Sequence, residues 1–190
     1  MVYPQIDWEL LSEAKKFYSK SFNFIEVPWT VENNISAVTT PLDKKPFKTL
    51  IGDLVGSAEQ SFISLMSQNK IEKGRWATIT PCFRDDKEDE LHQKYFMKLE
   101  LIDISDEPDY LFLLNVANDF FNKMIKTNII DIEKSFYPQK DITCAKTGIE
   151  LGSYGLRRWG KFSWAYGTGL AEPRFSLIRS KLFDNSLFEK

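Results

Sequence analysis

The sequence predicts an α+β domain in which helices flank a largely antiparallel sheet. Three observations carry this. Two alternating runs, RWATITPCF at 75–83 and QKYFMKLELIDI at 93–104, face each other across an acidic turn from Asp85 to Leu91. Two further strand-like runs, TCAKTGIELGS at 143–153 and KFSWAYGTG at 161–169, are punctuated by glycines. Apolar spacings of three and four residues mark helices near the start, in the middle and at the end of the chain.

Taken in order, Trp8, Leu11, Ala14, Lys15 and Tyr18 define a helix over 7–20 with Asp7 as N-cap. FNFIEVP at 22–28 is β-branched and aromatic, and Pro28 ends it by removing a backbone donor. Residues 30–48, polar and spotted with Pro41 and Pro46, read as a long loop that carries substrate contacts. Ser57 caps a helix running to Met66, with Phe62, Leu65 and Met66 on one face and Glu59 in its first turn. After the hairpin, Asp106 as cap and Pro108 in the first turn start a helix whose apolar face, Leu111, Leu114, Phe121 and Ile125, carries it to about Asn128. Residues 129–142 have no assignable pattern, and a last helix is expected from about Ala171 to Leu182.

The 190 residues, 43% of them hydrophobic, suit one compact domain with a sizeable core. With 25 basic and 27 acidic residues the net charge is -2, so no global attraction to nucleic acid or an anionic membrane is encoded, although a local basic patch stays open. Cys82 and Cys144 are too few for a disulfide framework and lack zinc-site spacing. The start, MVYPQIDWEL, has no secretory signature and no run approaches a membrane span, so a cytoplasmic protein without membrane partners is expected.

Three spaced signatures then stand together: FRDD with Phe96 twelve residues after Arg84, ELGSYGLR at 150–157, and GTGLAEPR at 167–174. Together they resemble the catalytic core of class II aminoacyl-tRNA synthetases, including relatives such as ammonia-dependent asparagine synthetase and the truncated seryl-synthetase-like ligases that charge carrier proteins. The resemblance spans roughly residues 8–182. Phe83, Arg84, Asp85, Asp86, His92 and Phe96 fill the places of the second motif, with aspartate in place of glutamate at Asp86. Gly167, Gly169 and Arg174 match the third motif, with Ala171 at its third glycine and Pro173 beside the arginine. Residues 8–28 imitate the first motif, which in the family helps form the dimer, and Ser57-Ala58-Glu59 looks like the Thr-x-Glu element that holds a substrate ammonium. The F-x-K-x-E run resembles the seryl branch and ELGSYGLR both the aspartyl branch and asparagine synthetase A, whereas Phe62 stands where the aspartyl branch carries a lysine, which argues against aspartate as substrate.

The resemblance implies an antiparallel class II synthetase-like core, ATP and Mg²⁺ as cofactors, and activation of a small amino acid as its adenylate. Bringing a carboxylate onto an α-phosphate forces two anions together, so cations are needed for positioning and electrostatic stabilisation. On that reading Arg84 and Arg174 are the catalytic cations, with Arg84 on the α-phosphate. Arg174 sandwiches adenine against Phe96, and Asp86 and His92 add ATP contacts. Gly167 and Gly169 admit the nucleotide backbone-close. Glu59 and Glu100 hold the amino acid, and Glu150 with Ser153 carries Mg²⁺. The attacking carboxylate is already ionised at neutral pH, so no general base is required.

Plainer roles exist for several of these residues. Arg84 suits a surface ion pair with Asp85 or Glu88, Phe96 suits core packing, and Glu59 is favoured in a first helical turn by the dipole. Glu150 can cap a neighbouring strand, the cysteines suit buried packing, and Arg157 and Arg158 suit phosphate, an acidic substrate, nucleic acid or solvent pairing. A single catalytic domain leaves no room for an anticodon-binding domain and a short second-motif loop grips a tRNA end poorly, so a carrier protein, a small amine or ammonia, or an RNA is the expected acceptor. A homodimer is implied. The alternative is a non-catalytic paralogue, dimeric, that senses a ligand or binds a partner; Asp86, Ala171, Pro173 and an early Pro28 favour it.

Overall fold

The computed structural model describes residues 5–133 and 137–186. Asp7 accepts from Leu10 N at 2.8 Å and starts α1 (Trp8–Tyr18), as its position predicts. The chain continues through β1 (Asn23–Phe24), β2 (Thr30–Val31), α2 (Asn33–Thr39), β3 (Lys48–Thr49) and β4 (Gly52–Leu54) to α3 (Ala58–Ser67), which Ser57 caps. The central hairpin is β5 (Arg75–Phe83) and β6 (Tyr95–Asp103), followed by α4 (Tyr110–Phe121). The remainder is β7 (Thr127–Asp131), β8 (Gln139–Cys144), β9 (Glu150–Trp159), β10 (Phe162–Glu172) and α5 (Arg174–Ser186).

Seven strands form one sheet in the order β1-β5-β6-β10-β9-β8-β7, antiparallel except for the β1–β5 pair, and β2-β4-β3 form a small second sheet. One face of the large sheet packs on α1, α4 and α5 through residues such as Leu11, Leu113, Phe121 and Phe175. The other packs on α2 and α3 through Ile35, Phe62, Ile63, Ile102 and Trp164. Because side chains alternate along a strand, Leu99 and Leu101 of β6 enter the first core while Phe96, Lys98 and Glu100 point to the second face.

Four expectations are corrected. The expected loop at 30–48 holds α2 and short strands. α2 has seven residues and no side-chain cap, so it leaves little periodic trace in sequence. The strand at 22–28 reduces to two residues at the sheet edge. The middle helix begins after Asp109, whose carboxylate accepts from Phe112 N at 3.0 Å, and ends at Phe121. TCAKTGIELGS is a strand end, a turn closed by Gly148 N on Cys144 O at 2.8 Å, and the start of β9. The unassigned region contributes β7 and the start of β8.

Two register shifts aim side chains. In β9 the shift opposite Ile142 and Thr143 lets Glu150 and Ser153 both border the second face while Leu151 enters the first core. In β10 the shift lies between Thr168 and Leu170, so Tyr166, Thr168 and Ala171 share that face while Leu170 enters the first core. The carbonyls freed around Gly169 are satisfied from below. Tyr154 Oη donates to Thr168 O at 2.5 Å, and Tyr18 Oη donates to Gly169 O at 2.8 Å.

Candidate active site

The second face opens into a cavity of about 340 Å³ between β5, β6, β9 and β10, the start of α3 and the segment after α2. Its lining carries six cationic and five anionic side chains, and most are paired one to one. Lys98 Nζ lies 3.2 Å from Glu100, Arg157 Nη1 2.5 Å from Glu59, Lys44 Nζ 2.9 Å from Asp86, and Arg174 Nη1 3.8 Å from Glu150. Asp85 pairs with Lys94 at 2.8 Å. Arg84 is left with no carboxylate partner among the described residues: its Nε donates to Gly56 O at 2.8 Å, and its guanidinium carbon lies 5.2 Å from the Phe96 ring centroid.

Two carboxylates sit at the floor. Glu100 is 2% exposed, accepting from Ser57 Oγ at 2.5 Å and Ala58 N at 2.8 Å. Burial pushes its carboxyl up, but the Lys98 ammonium and these hydrogen bonds outweigh that and hold it below the usual carboxylate value. Glu59 is 3% exposed and also accepts from Trp164 Nε1 at 2.6 Å. Here burial dominates and the carboxyl is raised, with Arg157 opposing. The two acids share a cavity but not an environment.

The sequence-predicted residues distribute plainly. Glu59, Arg84, Asp86, Phe96, Glu100, Glu150, Ser153 and Arg174 line the cavity. His92 lies beside it, on a shallow extension with Arg84, Asp86 and Arg174, where its Nδ1 bonds Asp89 at 2.9 Å. Gly167 and Gly169 face the opposite core. A Cβ on Gly167 would lie 2.6 Å from Tyr154 Cδ1, and one on Gly169 would collide with Leu99, so close packing requires both glycines. The acidic turn is not merely solvated, since Asp86 reaches Lys44 and Glu90 reaches Lys181 of α5 at 2.7 Å.

Lys98, Arg157, Tyr166 and Lys44 also line the cavity. Lys98 was readable, because Phe96, Lys98 and Glu100 alternate along one strand. For Arg157 the sequence leaves phosphate, an acidic substrate, nucleic acid and solvent pairing open; in the structure its guanidinium carbon lies 4.3 Å from the Tyr166 ring centroid while it pairs Glu59. Lys44 lies in the 30–48 segment expected to carry substrate contacts, but no motif or spacing marks the residue itself.

Several solved structures share this architecture. A pyrrolysyl-tRNA synthetase of Desulfitobacterium hafniense superposes over 91% of this chain and 68% of its own, with a TM-score of 0.72 at 16% identity. The chain has the class II synthetase fold. A second structure of a Desulfitobacterium hafniense pyrrolysyl-tRNA synthetase gives a TM-score of 0.70 at 17% identity, over 91% of this chain and 69% of the other. The cytoplasmic serine-tRNA ligase of Naegleria fowleri, crystallised with AMP, gives 0.68 at 14% identity over 87% of this chain, which spans about half of that enzyme (51%). No family model and no curated protein matches the sequence. In this class II fold the cavity lies on the antiparallel sheet face, bordered by both arginines singled out in the sequence.

Among the described residues no three His, Cys, Asp or Glu side chains converge as a metal cluster, and no helix is long and apolar enough to cross a membrane. Glu150 is nearly half exposed, and Ser153 donates to Asp141 and accepts from Gln139 Nε2 at 3.0 Å. With Glu150 paired to Arg174 as well, these two residues supply one carboxylate and one engaged hydroxyl, so Mg²⁺ there would need waters and substrate phosphates for the rest of its shell.

Proposed function

We propose that this domain binds ATP and activates a small amino acid as its adenylate. The observation that carries the reading is the convergence of Arg84, Phe96 and Arg174 on one cavity that also holds the buried Glu59 and Glu100. Arg84, like Lys45 of the lining, has no carboxylate partner among the described residues, and it is available to an incoming α-phosphate and carboxylate. Phe96 offers a ring face to adenine, and Arg174 is held only loosely by Glu150, at 3.8 Å, and can turn to the other side of the base. Asp86 and His92 border the polyphosphate end. Glu59 and Glu100 lie where an α-ammonium would need a counter-charge. Mg²⁺ held by Glu150 and Ser153 would offset phosphate charge.

The domain is read as a catalytic unit whose acceptor is a carrier protein, a small amine or ammonia, or an RNA. Dimerisation is proposed along α1 and the edge strand β1. Amino-acid-dependent exchange of pyrophosphate into ATP, screened across the amino acids, tests the reading. Exchange with one small amino acid is expected; no exchange, with no thermal stabilisation by ATP, defeats it. A second reading, a non-catalytic dimeric ligand sensor, is favoured by the saturation of both floor carboxylates by protein donors. It expects ATP or amino-acid binding without exchange.

A further inference from the structure

The segment between α2 and β3 walls one side of the cavity through Thr40, Pro41, Lys44, Lys45 and Pro46. Its ends are fixed. Thr40 Oγ1 donates to Ser36 O at 2.7 Å and accepts from Gln60 Nε2 at 3.1 Å, and Leu54 N donates to Phe47 O at 2.8 Å. Between these anchors Lys44 N closes a turn on Pro41 O at 3.0 Å, while two prolines restrict the backbone. The Lys44 ammonium is therefore delivered to a defined part of the wall.

That ammonium rests on Asp86 at 2.9 Å, with the two side chains 35% and 30% exposed. Water screens such a pair, and a lone carboxylate holds a lysine weakly. A polyphosphate presents several charges and acceptor oxygens at once, and a lysine binds it well as a point charge. Asp86 stands two residues beyond Arg84, so the pair flanks the arginine assigned to the α-phosphate. Lys45 borders the same space and has no carboxylate within ion-pair distance among the described residues.

We propose that Lys44, with Lys45 beside it, binds the terminal phosphates of a nucleoside triphosphate in this cavity, exchanging Asp86 for the polyphosphate. The proposal rests on the ATP reading above. It makes the wall sensitive to the length of the phosphate chain: a triphosphate engages it and a monophosphate does not.

Calorimetric titration of the full chain with ATP, AMP and inorganic tripolyphosphate tests this in the wild type and in Lys44→Ala, Lys44→Arg and Asp86→Asn. Lys44→Ala is expected to weaken ATP and tripolyphosphate by about ten-fold or more and to leave AMP nearly unchanged. Lys44→Arg should retain most of the affinity, and Asp86→Asn should tighten tripolyphosphate by removing its competitor. Equal weakening of ATP and AMP by Lys44→Ala, or no weakening of ATP, overturns the proposal and leaves the ATP reading standing. A wild-type chain that binds neither ATP nor tripolyphosphate overturns both.

Discussion

Replacing Arg157 by alanine tests how the floor of the cavity is stabilised. The change strips the nearest cation from Glu59, whose side chain is only 4% exposed, and leaves it with the Trp164 donor. Breaking a fully buried pair costs about 3–5 kcal/mol. The Arg157 side chain is 38% exposed, so water refills part of the gap and the loss is discounted to about 1–3 kcal/mol. For a chain of this size that lowers the Tm by roughly 3–10 °C. The pH dependence makes the test specific. Burial already raises the Glu59 carboxyl and Arg157 opposes it, so the variant raises it further. Between the unfolded and folded values the native state binds the extra proton, and stability falls as pH rises through that window. The deficit of Arg157→Ala should therefore be largest near pH 7 and shrink towards pH 4.5, and adding Glu59→Gln should remove most of it at neutral pH. Urea denaturation at several pH values measures this. A deficit independent of pH, or one untouched by Glu59→Gln, would refute the electrostatic account and leave only lost packing against Tyr166.

Three further outcomes are expected. Arg84→Ala and Arg174→Ala should each abolish pyrophosphate exchange while circular dichroism and Tm stay close to wild type, since both side chains reach into the cavity rather than a core. Gly167→Ala should lose about 1–3 kcal/mol in chemical denaturation, because its Cβ would press on the buried Tyr154 ring. Cys82, whose thiol burial pushes up to about 11, should resist iodoacetamide at pH 8 in the native protein and react only on unfolding.

The central hairpin was legible because both strands alternate cleanly and the acidic turn between them cannot be buried. Helices α1 and α3 were legible for a similar reason: a cap residue precedes a face of regular spacing. Where two apolar residues stand side by side, the signal failed. Ile129 and Ile130 of β7 are each 45% exposed on an outer strand, so neither period of two nor of 3.6 describes them. Arg84, Phe96 and Arg174 were legible as a set through spaced motifs, but for Gly167 and Gly169 the motif suggested only close approach to a nucleotide. Glycine is needed wherever backbone meets anything closely, and here it meets Tyr154 and Leu99 rather than a cavity wall.

The arrangement of charge explains how one sheet face can hold so many ionisable groups. Every lining carboxylate already has a cation, which keeps the burial of Glu59 and Glu100 tolerable. The pairs differ in how firmly they are held. At the floor Glu59 and Glu100 each accept additional hydrogen bonds, and these pairs are fixtures. At the mouth Lys44–Asp86 and Arg174–Glu150 are single, partly hydrated contacts that an anion can displace. On the proposed reading a negatively charged ligand would find its cations at the mouth without dismantling the floor, and Arg84 would need no carboxylate partner removed first.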